Sequence, residues 1–205
     1  GVQTCALPIF TPTSNDVQSL YTNDEISKFL PSNFVNMVSQ LISNNSFDEN
    51  ILKTLIYKMD SSQENSISLI RYFVNVITSS ISSLKLSDSV EETLPFLIIT
   101  KCFKITSPEM ATTIINLLID RLRYDCRETN SFVRFIISLF KYDLNQTNSI
   151  CYYELIARLI FERASTPAPH PYGIISIIKK MLTDNDKQNN IWSIPLVKNN
   201  ELLVN

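Results

Sequence analysis

Apolar residues recur three and four positions apart from Phe34 to Leu182, with few interruptions. That spacing places them along one face of an α-helix, whereas a half-buried strand would alternate them. Phe34, Met37, Val38 and Leu41 form a first stripe, and Ile51, Leu52, Leu55 and Met59 a second. A longer third runs through Ile67, Ile70, Val74, Ile77, Ile81 and Leu84. Leu94, Leu97 and Ile98 suggest a fourth, in which Pro95 complicates the first turns, and Ile114, Ile115, Leu118 and Leu122 make a fifth. Phe132, Phe135, Ile136 and Leu139 make a sixth, and Leu155, Ile156, Leu159 and Ile160 a seventh. Ile174, Ile175, Ile178 and Leu182 make an eighth, and a short ninth helix is expected around Trp192. The isoleucine and threonine content favours strands by propensity. The period overrules it, because it persists over spans too long for strands.

Local signals support these boundaries. Ser107-Pro108-Glu109 supplies a cap, a proline for the first helical position and an acid for the first turn. Asp88 and Glu91 have capping-box spacing, and Asp48 and Thr129 or Asn130 stand where caps are wanted. Breaks fall at residues 44–47, 60–63, 143–147 and 165–169. Helices of this length joined by short polar turns predict an all-α fold: a HEAT-like array of stacked antiparallel helix pairs, about eight or nine helices in all. No strict repeat is visible, which fits a degenerate array better than a sharp consensus.

Composition narrows the function classes. The chain holds 2 glycines and 1 histidine. Phosphate-cradling loops need clustered glycines, so a Walker loop, a dinucleotide fingerprint and a kinase glycine loop are excluded. A zinc site built on histidines and a pair of acid–base histidines are excluded as well. A net charge of −2 argues against a surface built mainly to grip phosphates. The 4 cysteines are scattered without a C-x-x-C, which reads as reduced thiols. A reactive-thiol reading has only Cys126 in its favour, between Arg123 and Arg127, where positive charge would lower the thiol pKa. No apolar run reaches membrane-spanning length. The expectation is a non-enzymatic chain with no cofactor, no metal and no membrane partner.

Residues 1–9, GVQTCALPI, look like a conceptual translation of a sequencing-adapter oligonucleotide. They are expected to be no part of the fold, which leaves residues 10–205 as one helical domain.

The C-terminal third carries a phrase that resembles a known family. Glu162-Arg163 is followed by Pro169-His170-Pro171-Tyr172-Gly173, an isoleucine-rich stretch and Ile191-Trp192. This resembles the C-terminal homology domain of Not-one, the scaffold subunit of the Ccr–Not mRNA deadenylase complex. That family reads Leu-Glu-Arg, then Arg-Pro-His-Pro-Trp-Gly, an apolar helix and an aromatic-Trp pair. Here Tyr172 stands for the family tryptophan, Ala168 for the arginine and Ile191 for the aromatic residue. Leu122-Arg123-Tyr124, followed by Ser131 to Phe140, resembles a second family stretch, with Asp125 in place of a proline. Phe10-Thr11-Pro12 and Leu30-Pro31-Ser32-Asn33-Phe34 are similar to its opening segments. The family continues into an acidic helix after Trp192, which here would be short or cut before Asn205.

The resemblance implies a scaffold that docks Not-box subunits, the second and the third or fifth Not proteins, and peptide motifs of RNA-binding regulators. It implies a role in mRNA decay, translational repression and transcription regulation, in cytoplasmic mRNA-decay bodies and also in the nucleus. Arg123, Tyr124, Glu162, Arg163, Pro169, His170, Pro171, Tyr172, Gly173 and Trp192 are the signature positions, with partner-binding or structural roles. The structural role is favoured for His170, held extended between two prolines. A generic HEAT-like adaptor of another pathway would show the same helices. Arg121, Arg123, Arg127 and Arg134 form the one basic concentration, a candidate docking patch for an acidic peptide or, as a third reading, for RNA. Glu154 and Arg158 are spaced for an i,i+4 pair.

Overall fold

The computed structural model describes residues 27–43, 47–62, 65–144, 152–165 and 172–183. These hold eight α-helices and two short 3-10 helices, and no strand occurs among the described residues. The helices are α1 (Ser32–Ser43), α2 (Glu49–Ser61), α3 (Ser66–Thr78), α4 (Leu94–Phe103), α5 (Pro108–Ile119), α6 (Arg127–Leu144), α7 (Tyr152–Ala164) and α8 (Tyr172–Thr183). One 3-10 helix, Ser79–Ser83, extends α3, and the other, Asp120–Leu122, extends α5. The predicted helix around Trp192 lies outside the described residues.

The packing order is that of a two-layer array. Odd-numbered helices pack in succession, α1 on α3, α3 on α5 and α5 on α7. Even-numbered helices do the same, α2 on α4, α4 on α6 and α6 on α8. Pairs such as α1–α2 and α7–α8 also close on each other, so apolar stripes are buried both within such pairs and against the next pair. Aromatic rings tie helices together both within a layer and between the two. Phe96 of α4 meets Phe135 of α6 edge-on at 6.0 Å. Phe103 of α4 stacks on Tyr152 of α7 at 4.8 Å, and Phe140 of α6 meets Tyr153 at 6.2 Å.

Local chemistry sets the helix starts. The Asp48 carboxylate accepts from the backbone N–H groups of Asn50 and Ile51 at 2.8 and 3.3 Å. Ser107 accepts from Met110 N at 3.3 Å, and Pro108 occupies the first position of α5. Pro95 is accommodated in the same way, since it falls in the first turn of α4, where no intrahelical donor is needed. The Thr93 hydroxyl caps that turn through Phe96 N at 3.4 Å.

Two expected caps are corrected. Asp88 and Glu91 start no helix: Asp88 Oδ2 accepts from Lys85 N at 2.8 Å, and Glu91 accepts from Ser89 and Ser138. Thr129 and Asn130 lie inside α6 rather than before it. The buried faces also differ from some assigned stripes. Ile67, Leu97 and Ile175 are exposed, while Leu69, Phe96, Ile99, Ile177 and Met181 take the core positions. These segments are apolar nearly all round, so packing rather than period selects the inner face. The ion pair on α7 is Arg158–Glu162 at 3.5 Å, one turn on from the expected Glu154–Arg158 spacing.

Candidate functional site

The 3-10 helix Asp120–Leu122 is clasped from several sides, and the signature residues Arg123, Arg163, Tyr172 and Gly173 meet at it. Arg163 of α7 reaches Asp120 Oδ1 at 3.1 Å and Asn116 Oδ1 at 3.5 Å. The carbonyl of Arg123 accepts from Tyr172 N at 3.4 Å. The Thr129 hydroxyl donates to the Arg121 carbonyl at 3.3 Å. Arg121 itself turns away to α3, where its guanidinium donates to Asn75 Oδ1 at 2.5 Å.

Gly173 closes the junction. A Cβ on it would fall 2.8 Å from Leu122 Cβ and 2.8 Å from Thr129 Cγ2, so only a residue without a side chain fits against both. Its backbone is not left-handed, which makes space the reason for the glycine. Two stretches about fifty residues apart in sequence, Leu122-Arg123-Tyr124 and Tyr172-Gly173, are therefore one structural unit. Arg123 and Glu162 are exposed, and Tyr124 and Tyr172 are each about two-fifths exposed. Pro169, His170, Pro171 and Trp192 lie outside the described residues, as do Cys5 and Cys151.

The four arginines do not form one patch. Arg121 is committed to Asn75, and Arg123 is exposed beside α8. Arg127 and Arg134, two turns apart on α6, line a shared cleft of about 630 Å³. Leu84, Lys85 and Leu86 wall it, together with the Asp125-Cys126 turn, α6 and Lys180 of α8.

The wall is clamped to α6. Arg134 Nη1 donates to the Lys85 carbonyl at 2.8 Å and Nη2 to the Asp88 carbonyl at 2.5 Å. One turn further along, Ser138 donates to Glu91 Oε1 at 2.6 Å. That hydrogen bond, foremost among several favourable contacts, holds the Glu91 carboxyl below the usual carboxylate range. The Lys180 amine is pushed below the usual lysine range, first by burial and then by the charge of Arg134. Lys85 and Lys180 were missed by reading the sequence, because the contacts that bring them to α6 span about fifty residues.

The remaining chemistry is sparse. Among the described residues, no group of three His, Cys, Asp or Glu side chains is placed to hold a metal ion. No helix among them is long and apolar enough to cross a membrane. Cys102 is fully buried, and burial pushes its thiol far above the usual range. Cys126 is half-buried, with its sulfur 3.4 Å from the Thr129 hydroxyl.

Stacked helix pairs bound by a buried junction define an all-helical array of the kind that presents long surfaces to other molecules. The family model described as "CCR4-Not complex component, Not1" matches residues 7–204, and the chain belongs to this family. The match begins three residues before Phe10, inside the segment that resembles adapter sequence.

Among solved structures, the chain is similar to the NOT1 superfamily homology domain from Chaetomium thermophilum. The TM-score is 0.73 at 16% identity, covering 90% of this chain and 38% of that one. It is also similar to a Not1 C-terminal domain solved in complex with Not4. There the TM-score is 0.61 at 19% identity, covering 89% of this chain and 37% of that one. The chain thus spans a little over a third of each of these structures, and the likeness establishes the fold. No curated protein sequence matches the chain.

Proposed function

We propose that this chain is a non-catalytic scaffold domain of a Ccr–Not complex, docking Not-box subunits and so linking deadenylation to mRNA decay and translational repression. The observation that carries the reading is the family match along residues 7–204, set on a fold of stacked helix pairs. A similar fold has been solved holding another Not protein, Not4, which supports a partner-docking role. Extended segments of the second and the third or fifth Not proteins would lie along grooves between helices, anchored by apolar side chains. The buried junction around Leu122 and Gly173 would keep α5 to α8 in fixed register, so that the grooves are formed before a partner arrives. The cytoplasm, with its mRNA-decay bodies, would be its main location, with a nuclear share.

The family match favours this reading over a generic adaptor of another pathway. Direct RNA contact through the four arginines is disfavoured, because they diverge. Titrating the 205-residue chain with the Not-box heterodimer of the same genome in a calorimeter tests the proposal. Saturable binding at micromolar concentrations or tighter is expected. No heat of binding from a chain with an intact helical spectrum would overturn it.

A further inference from the structure

We infer that the cleft between the Leu84–Asp88 loop, the N-terminal turns of α6 and α8 docks an acidic peptide segment that carries an aliphatic side chain. This goes beyond the docking of Not-box subunits and does not depend on it.

Three separate stretches of chain deliver cations to one concavity. Lys85 comes from the loop, Arg127 and Arg134 from α6, and Lys180 from α8, while Asp125 is the one carboxylate among the lining residues. A chain of net charge −2 has no compositional reason for such a concentration. The N-terminus of an 18-residue helix opens at the same place and adds its positive partial charge. The crowding of Lys180 against Arg134 is repulsive, and a bound carboxylate would relieve it.

The cleft also has an apolar side. Leu84 and Leu86 line it, and Leu86 is 87% exposed and so accessible to a ligand. A ligand with both carboxylates and an aliphatic group would match the two sides at once. The spacing is set in advance, because Arg134 spans from α6 to the carbonyls of Lys85 and Asp88.

A polypeptide fits better than a nucleic acid. Single-stranded nucleic acids take much of their affinity from bases stacked on aromatic rings. The lining residues include no aromatic ring and two leucines instead.

Fluorescence anisotropy tests the inference, with a labelled glutamate-rich peptide bearing one central leucine. The same peptide with glutamine for glutamate, and polyuridylate RNA, serve as comparisons. The acidic peptide is expected to bind the 205-residue chain and the glutamine peptide not to. Added salt should weaken binding. Lys85→Glu with Arg127→Glu, both exposed positions, should weaken it at least about tenfold. Leu86→Ser should weaken it by a smaller factor, and none of these changes should alter the thermal melt.

Equal affinity for the acidic and glutamine peptides, or unchanged affinity in the double variant, would overturn the inference. Tighter binding of polyuridylate, lost in the same double variant, would overturn it in favour of nucleic acid. Calorimetry with the Not-box heterodimer on the same double variant separates the two proposals. Retained heterodimer binding with lost peptide binding is expected, and loss of both would show that the cleft belongs to the heterodimer's footprint and sink the separate site.

Discussion

Replacing Gly173 by alanine should destabilise the fold, although alanine is the better helix former. The added Cβ would sit 2.8 Å from Leu122 Cβ, 2.8 Å from Thr129 Cγ2 and 3.0 Å from Leu122 Cδ2. Carbon atoms in contact settle at about 3.5–4.0 Å, so the two nearest approaches fall short by about 0.7–1.2 Å. Neither neighbour can turn aside. Leu122 Cβ is fixed to the backbone of the 3-10 helix, and Thr129 is buried with its hydroxyl bonded to the Arg121 carbonyl.

The first turn of α8 must therefore lift away from α6 and from the 3-10 helix. Overpacking of this kind costs about 1–3 kcal/mol. The propensity gain from glycine to alanine offsets at most about 1 kcal/mol of that. With neighbours this rigid the cost falls in the upper half of that range, and after the full offset the net loss of about 1–2 kcal/mol lowers Tm by about 2–8 °C in a chain of this size. Circular dichroism melts of the wild type, Gly173→Ala and the exposed-site control Ile175→Ala measure it. The control should stay within about 0.5 kcal/mol of wild type. A Gly173→Ala protein that melts at or above the wild type would refute the claim that close packing fixes this residue.

Three further outcomes follow from the same geometry. Arg134→Ala removes both hydrogen bonds that hold the Lys85–Asp88 loop, and should cost about 1–3 kcal/mol and speed proteolysis within residues 84–91. Ser138→Ala should destabilise the protein at neutral pH but not in acid. The folded-state pKa of Glu91 is depressed, so its contribution is present above the ordinary glutamate value of about 4.3 and is lost as pH falls through the folded value. Melts of the two proteins should converge as pH drops below that range. Cys102 should resist a thiol reagent until global unfolding, with half-buried Cys126 reacting first, as mass-mapped labelling with and without denaturant would show.

The helices were legible in the sequence because their signal is local. Stripes such as Phe34–Val38–Leu41 and Leu52–Leu55–Met59 coincide with buried faces of α1 and α2. The caps at Asp48 and Ser107 carry their own hydrogen-bonding logic within three residues. Reading failed where several faces were apolar at once. In α8, Ile174, Ile175, Ile177 and Ile178 compete, and contact with α6 and α7 decides that Ile174 and Ile177 go inside. It failed also where a side chain had a better partner far away. Asp88 and Glu91 have cap spacing, yet they are drawn into the loop clamp by Lys85 N and Ser138. The cleft was only half visible. Arg127 and Arg134 stand two turns apart on one helix, but nothing local links them to Lys85 and Lys180.

Docking of Not-box subunits is the proposed role of this fold. Size-exclusion chromatography of the 205-residue chain mixed with the Not-box heterodimer of the same genome tests it most directly. One earlier-eluting peak that contains all three chains is expected. Separate elution of a helical, monodisperse chain and an intact heterodimer would contradict it.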